Sequence, residues 1–337
     1  MKALVMHGPG DLRVESVPDP KMKSGEALLQ VRRVGLCGSD LNSYRGRNPL
    51  VTYPRIPGHE IAATIVDLAE PCAGFKTGVD ITVSPYSHCG ECSACRNGRF
   101  NACQRNQTLG VQRDGALAEY ISVPLERLYR ANLELTSLCL VEPLTVGAHA
   151  VSRACVTDRD TVAIFGCGGV GLGAVAASAF RGATTIAIDV DDEKLAIARL
   201  AGATHTVHSQ RQSLAPALAA VTGERGPDVV IEAVGMPETF RAAVELVAFT
   251  GRVVYIGYAK EQVCYETKLF VQKELDVRGS RNAMPEDFRQ VIEMLEGHRF
   301  PVKSAIDTLV SLEQAPQILN AWSNEPSKFK KIMITLD

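Results

Sequence analysis

The stretch from Thr161 to Asp189 limits most sharply what this chain can fold into. It opens on an apolar run, Val162-Ala163-Ile164-Phe165, passes through Gly166-Cys167-Gly168-Gly169-Val170-Gly171 into an Ala-rich segment reaching Arg181, and closes on Thr185-Ile186-Ala187-Ile188 and Asp189. That is strand, GxGxxG, helix, strand and acid. Gly166 permits a tight turn, Gly168 lets bare backbone approach a pyrophosphate, and Gly171 lets the helix pack closely on the strand. Gly169 and Val170 complete this run as cofactor contacts, and the free N–H groups and dipole at the start of the helix that follows favour phosphate. Asp189, at the tip of the second strand, can accept from both hydroxyls of an adenosine ribose, and its charge would repel a 2′-phosphate. NAD is therefore expected over NADP. A lone glycine-rich turn often does nothing but turn; here the flanking strand, helix and acid all agree with a dinucleotide site.

Strand and helix keep alternating after Asp189, as a parallel sheet requires. Helical patterns over 193–200, 214–222 and 240–248 separate strand-like runs at 206–208, 228–235 and 252–257. Ligands bind at the carboxyl ends of strands in such sheets, so Val234, Gly235, Ile256 and Gly257 are expected on the nicotinamide side. A strand at 275–282 precedes an amphipathic helix over 285–297, and residues 330–336 read as a final strand returning to the first part of the chain.

Residues 1 to about 150 have a different texture: short alternating strands at 27–34, 61–66 and 119–123, punctuated by Gly and Pro, which indicate a barrel-like β unit. It carries Gly35-Leu36-Cys37-Gly38-Ser39-Asp40 and, about twenty residues on, Pro57-Gly58-His59-Glu60. A thiolate, an imidazole and a carboxylate at strand-to-loop junctions can converge on one Zn²⁺. Taken singly, a Cys beside Gly is ordinarily packing and a His-Glu pair ordinarily surface. Cys89, Cys92, Cys95 and Cys103 form C-x2-C-x2-C-x7-C, a spacing that wraps a closed tetrahedral structural zinc. Four neighbouring surface thiols would otherwise be an oxidation liability. Val141 to Ala150 reads as a helix with Pro143 in its first turn. Glu142 follows the apolar run 138–141, so its charge is costly there without a cation to meet it; as a plain helix-start acid it would need none.

A length of 337 residues suggests about two domains, and a net charge of -2 leaves no basic footprint for nucleic acid. The N-terminal Met1-Lys2-Ala3-Leu4-Val5-Met6-His7-Gly8 lacks the apolar core of a signal peptide, and the apolar runs break before the roughly 20 residues of a membrane span. No membrane crossing and a cytoplasmic location are expected. In that compartment the ten cysteines are thiols or metal ligands rather than disulfides. Cys72, Cys139, Cys155, Cys167 and Cys264, scattered among apolar or small neighbours, are expected as small buried hydrophobes.

These motifs, in this order, resemble the zinc-dependent medium-chain dehydrogenase/reductase family over essentially the whole chain. Glu142-Pro143-Leu144, where alcohol dehydrogenases carry a third-ligand cysteine, looks like the polyol (sorbitol) and threonine dehydrogenase branch. Tyr44-Arg45-Gly46-Arg47-Asn48-Pro49, Gly279-Ser280-Arg281-Asn282 and Pro285-Glu286-Asp287-Phe288 look like bacterial sugar-acid dehydrogenases of the L-galactonate 5-dehydrogenase kind. The resemblance implies a GroES-like β-barrel catalytic domain over 1–148 with a structural-zinc lobe at 86–106. It further implies a Rossmann doubly wound parallel-sheet NAD domain over 149–282 and a segment, 283–337, returning to the catalytic domain. Two zinc ions per subunit are implied: a catalytic one held by Cys37, His59 and one or both of Glu60 and Glu142, and a structural one on the four clustered cysteines. Ser39 would open the proton relay. Many relatives have a histidine where Asn42 stands, and an amide cannot titrate. Arg281, Asn282, Arg47 and Tyr44 would meet a small-molecule polyol or sugar-acid substrate such as L-galactonate, L-gulonate or L-idonate.

Sorbitol, galactitol, threonine or butanediol is the alternative substrate class, and a homodimer or homotetramer the implied assembly. A zinc-free quinone-type reductase would lack Cys37, His59 and the cysteine lobe. The non-enzyme alternative, a regulatory or nucleic-acid-binding protein that keeps the fold, is disfavoured by the near-neutral charge.

Overall fold

Alternation in the early chain and continuous apolar runs in the later chain give two sheets of different kinds. A computed structural model describes residues 1–72 and 74–336. Met1–Glu142 with Val302–Asp337 form one unit, and Pro143–Pro301 the other.

In the first unit β1 (Lys2–Gly8) and β2 (Asp11–Ser16) pair as an antiparallel ribbon. β3 (Glu26–Gly35), β4 (Glu60–Leu68), β5 (Asp80–Val83), β6 (Tyr120–Pro124) and β7 (Leu128–Arg130) belong to a larger sheet. In the second unit β8 (Thr161–Phe165), β9 (Thr184–Asp189), β10 (His205–His208), β11 (Val229–Glu232), β12 (Arg252–Tyr255) and β13 (Asp276–Gly279) follow. The chain then adds β14 (Thr308–Ser311) and β15 (Ile332–Thr335) to the first sheet, whose order is β14-β15-β3-β4-β5-β7 with β6 also on β3.

β3 is therefore the strand on which three others converge. Ala27, Leu29 and Val31 face inward, and a register shift against β4 between Val31 and Arg33 then turns Val34 inward as well. Such an irregularity re-aims the side chains beyond it; here it lets Arg32 and Arg33 pass without entering the core. Leu4, Met6, Leu29, Ile61, Ile65, Ile81 and Leu117 are fully buried in that core, each worth about 1.5–3 kcal/mol.

The second unit's six strands lie in the order β10-β9-β8-β11-β12-β13, all parallel. This is the doubly wound arrangement, with its switch point beside β8. The turn after β8 leads into the helix Gly169–Phe180 with Gly166 at φ 90°. A Cβ on Gly171 would overlap the carbonyl oxygen of Gly166, so only glycine lets the helix start this close to the strand.

Several expectations need correction. The helix expected from Val141 runs over Leu135–Arg153, with Pro143 inside it. The run 138–141 is thus the helix's own early portion, and Pro143, lacking an N–H, leaves one intrahelical bond unmade. By length and composition this helix could cross a membrane, but 72% of its most apolar window is buried in the protein, as in a core helix. The unit boundary falls within it, at Glu142, rather than at 148. The helix Pro285–Glu296 counts with the parallel-sheet unit, so the return to the first unit begins at Val302 rather than at 283. Of the scattered cysteines, Cys139 and Cys167 are buried, whereas Cys155 and Cys264 are exposed. Cys155 sits in the turn after a helix at φ 53°, where the chain leaves the core.

Candidate active site

Two ladder ends and one helix bring the first group together. Cys37 lies two residues after β3 and caps the short helix Gly38–Tyr44; its N–H donates to the Asp40 carboxylate at 2.9 Å. Glu60 opens β4 opposite Gly35, the last residue of β3, with His59 just before it. One ligand atom each from Cys37, His59 and Glu60 lie within 4.8 Å of one another. Glu142, from the helix Leu135–Arg153, accepts a hydrogen bond from the buried phenol of Tyr86 on its Oε1.

Burial makes this an expensive place for charge. Asp40, His59, Glu60 and Glu142 are all buried, and Cys37 is half-buried. Burial pushes the Glu142 carboxyl up to about 7 against the pull of His59, and it raises Asp40 likewise. Burial opposes the His59 imidazolium, yet Asp40, Cys37 and Glu142 together hold it well above its ordinary range. The cation that meets Glu60 is Lys331, just before β15, which pairs with its Oε2 and donates to the Leu36 carbonyl at 3.1 Å. A Cβ on Gly35 would overlap that same Oε2 and press on the Lys331 side chain, so Gly35 clears the space for the pair.

Four groups that can be negative (Cys37, Asp40, Glu60, Glu142) thus face two that can be positive (His59, Lys331). Ser39 Oγ, Asp40 Oδ1 and His59 Nδ1 are buried without a hydrogen-bond partner. A thiol, an imidazole and carboxylates around an acid-rich pocket suit a divalent, borderline-soft metal such as zinc. Asp40 Oδ1 lies 3.8 Å from His59 Nδ1, on the side where a second carboxylate orients a ligating imidazole.

The four clustered cysteines fit a metal still more closely. Their neighbouring sulfurs are 3.5–4.0 Å apart. A zinc–sulfur bond of about 2.3 Å implies a tetrahedral edge of about 3.8 Å, whereas a disulfide would need about 2.05 Å. Backbone N–H groups of Cys89, Cys92 and Arg105 point at sulfurs of the cluster. Such donors, from Cys95 first, hold the Cys92 thiol down to about 6.

In the second unit the glycine turn and the acid are tied together. Asp189 accepts from Cys167 N at 2.7 Å on Oδ2, and from Val190 N and Asp191 N on Oδ1. A carboxylate has about four acceptor positions, so roughly one remains beyond these three bonds. Val234, Gly235, Ile256 and Gly257 lie at the carboxyl ends of β11 and β12, with Val234 exposed. Glu232, fully buried, shapes that loop by accepting from Val234 N, Gly235 N and the Thr239 hydroxyl on one oxygen.

The expected substrate residues divide. Tyr44 is packed in the first unit's core with its hydroxyl toward Asn320, so it is spent on structure. Arg45 donates to Ser323. Arg47 and Arg281 are exposed, and Asn282 is half-buried at φ 52°. Sequence reasoning missed Tyr86, Lys331, Glu232 and the approach of Asp40 to His59. A lysine at the edge of the apolar run 332–336 was a usable signal; Tyr86 carried none.

Residues 23–132 match the alcohol dehydrogenase GroES-like domain and residues 169–297 the zinc-binding dehydrogenase domain. L-galactonate-5-dehydrogenase of Escherichia coli K12 is 32% identical, with 91% of this chain and 94% of that one covered. Sorbitol dehydrogenase of Bacillus subtilis is 32% identical, covering 99% and 97%. The alcohol dehydrogenase RspB of E. coli CFT073, solved with NADH, superposes with a TM-score of 0.91 at 27% identity, covering 100% and 99%. A zinc-binding dehydrogenase of Sinorhizobium meliloti 1021, solved with NADP, gives 0.92 at 30% identity, covering 99% and 98%.

Two outcomes follow from the site. Lys331→Met should lower stability by about 3–5 kcal/mol in denaturant melts, because Glu60 is left as an unpaired buried charge; adding Glu60→Gln should recover part of the loss. Elemental analysis should find about two zinc ions per chain, falling to about one in Cys37→Ser and to about one in Cys95→Ser.

Proposed function

The chain belongs to the zinc-type medium-chain alcohol dehydrogenases, and from that premise we propose that it oxidises a secondary alcohol of a polyol or sugar acid to the ketone, reversibly, with NAD. The observation that carries this reading is the convergence of Cys37, His59 and Glu60 in an acid-rich pocket; Ser39, two residues after Cys37, has a buried hydroxyl without a hydrogen-bond partner.

When bound there, zinc supplies a Lewis acid that lowers the pKa of an alcohol hydroxyl. Cys37, His59 and Glu60 would hold it, with Glu142 close by, and Asp40 would fix the imidazole. Ser39 Oγ would take the hydroxyl proton as it hands its own on; Asn42 cannot titrate, so water would receive that proton and carry it to solvent. Gly166, Gly168, Gly169, Val170 and Gly171 would cradle the pyrophosphate at the start of the helix Gly169–Phe180. Asp189 would give the adenosine ribose its remaining acceptor position, and its charge would oppose a 2′-phosphate. Val234, Gly235, Ile256 and Gly257 would line the nicotinamide side.

For an aldonate, Arg47 or Arg281 would meet the carboxylate as a charge-assisted pair; Asn282 would assist, whereas Tyr44 is withdrawn from this role. The relatives acting on L-galactonate and on sorbitol support a polyol-like substrate class without choosing between them.

The test is a screen of aldonates and polyols with NAD and NADP, followed by NADH or NADPH absorbance. Turnover should favour NAD, and Cys37→Ser should lose it by roughly a hundredfold or more. Near wild-type turnover in Cys37→Ser would refute the metal-assisted reading. If Arg47→Ala and Arg281→Ala both leave the KM for aldonates unchanged, the acid substrate falls and the polyol stands.

A further inference from the structure

Tyr86 lies in the loop after β5, three residues ahead of the first clustered cysteine. That loop is pinned on both sides. Ser84 N donates to the Arg127 carbonyl at 2.9 Å, Leu109 N donates to the Pro85 carbonyl at 3.1 Å, and Gln107 N donates to the Ser87 hydroxyl at 2.7 Å. The ring itself is 9% exposed. Its hydroxyl is thereby delivered to Glu142 Oε1 by a backbone with little freedom to withdraw it.

We propose that Tyr86 is a positioning residue: by donating its phenol to one oxygen of Glu142, it holds that carboxylate back from the position an alcohol oxygen would take at a metal held by Cys37, His59 and Glu60. The inference rests on the dehydrogenase reading above for its consequence in turnover, but its geometry is independent of it. The physical basis is an asymmetry. Glu60 is paired with a cation, Lys331, whereas the hydrogen bond that Glu142 accepts from Tyr86 comes from a neutral donor. A carboxylate beside a bound dication is drawn toward it unless a hydrogen bond competes. A hydrogen bond to a charged group contributes about 1.5–3 kcal/mol, enough to decide such a competition.

The test uses cobalt exchanged into the intact protein, with the spectrum of Cys37→Ser subtracted to isolate the candidate catalytic metal. In Tyr86→Phe the released carboxylate should join the metal, and the visible d–d absorption should fall by about twofold or more as coordination rises. The KM for the alcohol should rise about tenfold or more, the equivalent of about 1.4 kcal/mol, with kcat changed less. In a Glu142→Gln background, Tyr86→Phe should add little to either readout, because a pair acting through one contact is non-additive.

An unchanged cobalt spectrum in Tyr86→Phe would overturn the proposal, and so would an equal effect of Tyr86→Phe with and without Glu142→Gln. Phenylalanine fills the same volume; loss of the fold by circular dichroism in Tyr86→Phe would overturn it too, since the hydroxyl would then serve more than Glu142. If no alcohol is oxidised with either nucleotide while the cobalt result holds, the functional reading fails and the role of Tyr86 survives.

Discussion

The first unit depends on burying several acids at one strand junction without leaving their charge unanswered. An isolated carboxylate in a protein interior costs far more than a domain's margin of stability, and here Asp40, Glu60 and Glu142 are buried together beside the Cys37 thiol. The fold meets this with means drawn from distant parts of the chain. Lys331 arrives with the last strand, His59 precedes β4, and Tyr86 comes from the loop after β5. A dication supplies the rest in the proposed reading. The return of residues 302–336 to the first sheet is therefore part of the site's electrostatics and not merely a way of ending the chain.

That dependence explains a glycine and a strand irregularity that otherwise look incidental. Gly35 is opposite Glu60 on one side and Met333 on the other, at the point where β3 meets β4 and β15. Any side chain there would displace the Glu60–Lys331 pair. The register shift earlier in β3 sets the inward phase of Val34 and brings Gly35 to that position. Local backbone geometry, the ion pair and the donor group around Cys37 are thus one structural fact seen at three scales.

Much of this was legible in the sequence, and the reason is local spacing. The glycine turn, its flanking apolar runs and Asp189 lie within one strand-helix-strand unit, so residue order alone determines their neighbours. The four clustered cysteines span fifteen residues, and their sulfurs sit at tetrahedral spacing. Cys37, His59 and Glu60 could be nominated because Cys37 and His59 each adjoin a glycine near a strand end and Glu60 follows His59 directly. What stayed hidden was set by long-range packing. Lys331 lies nearly the whole chain away from Gly35, and Tyr86 touches Glu142 across 56 positions. The extent of the helix Leu135–Arg153 was misjudged because a proline ordinarily marks a helix start, whereas packing on most of its surface tolerates Pro143 inside. Tyr44 was misjudged for the converse reason, since a polar-looking loop sequence conceals a ring packed in the core.

The two glutamates show why residue identity was not enough to assign roles. From sequence Glu60 and Glu142 are equivalent, each an acid next to a motif. In the structure Glu60 stands among the Cys37 and His59 ligand atoms, but its charge is already met by Lys331. Glu142 stands outside that close group, and the phenol that donates to it brings no positive charge. A carboxylate neutralised by a lysine has less to gain from a metal than its proximity suggests, and a carboxylate held by a tyrosine has more. Distance favours Glu60 and charge favours Glu142. A metal centre that must leave one position open for substrate is well served by that opposition, since neither acid has both advantages at once.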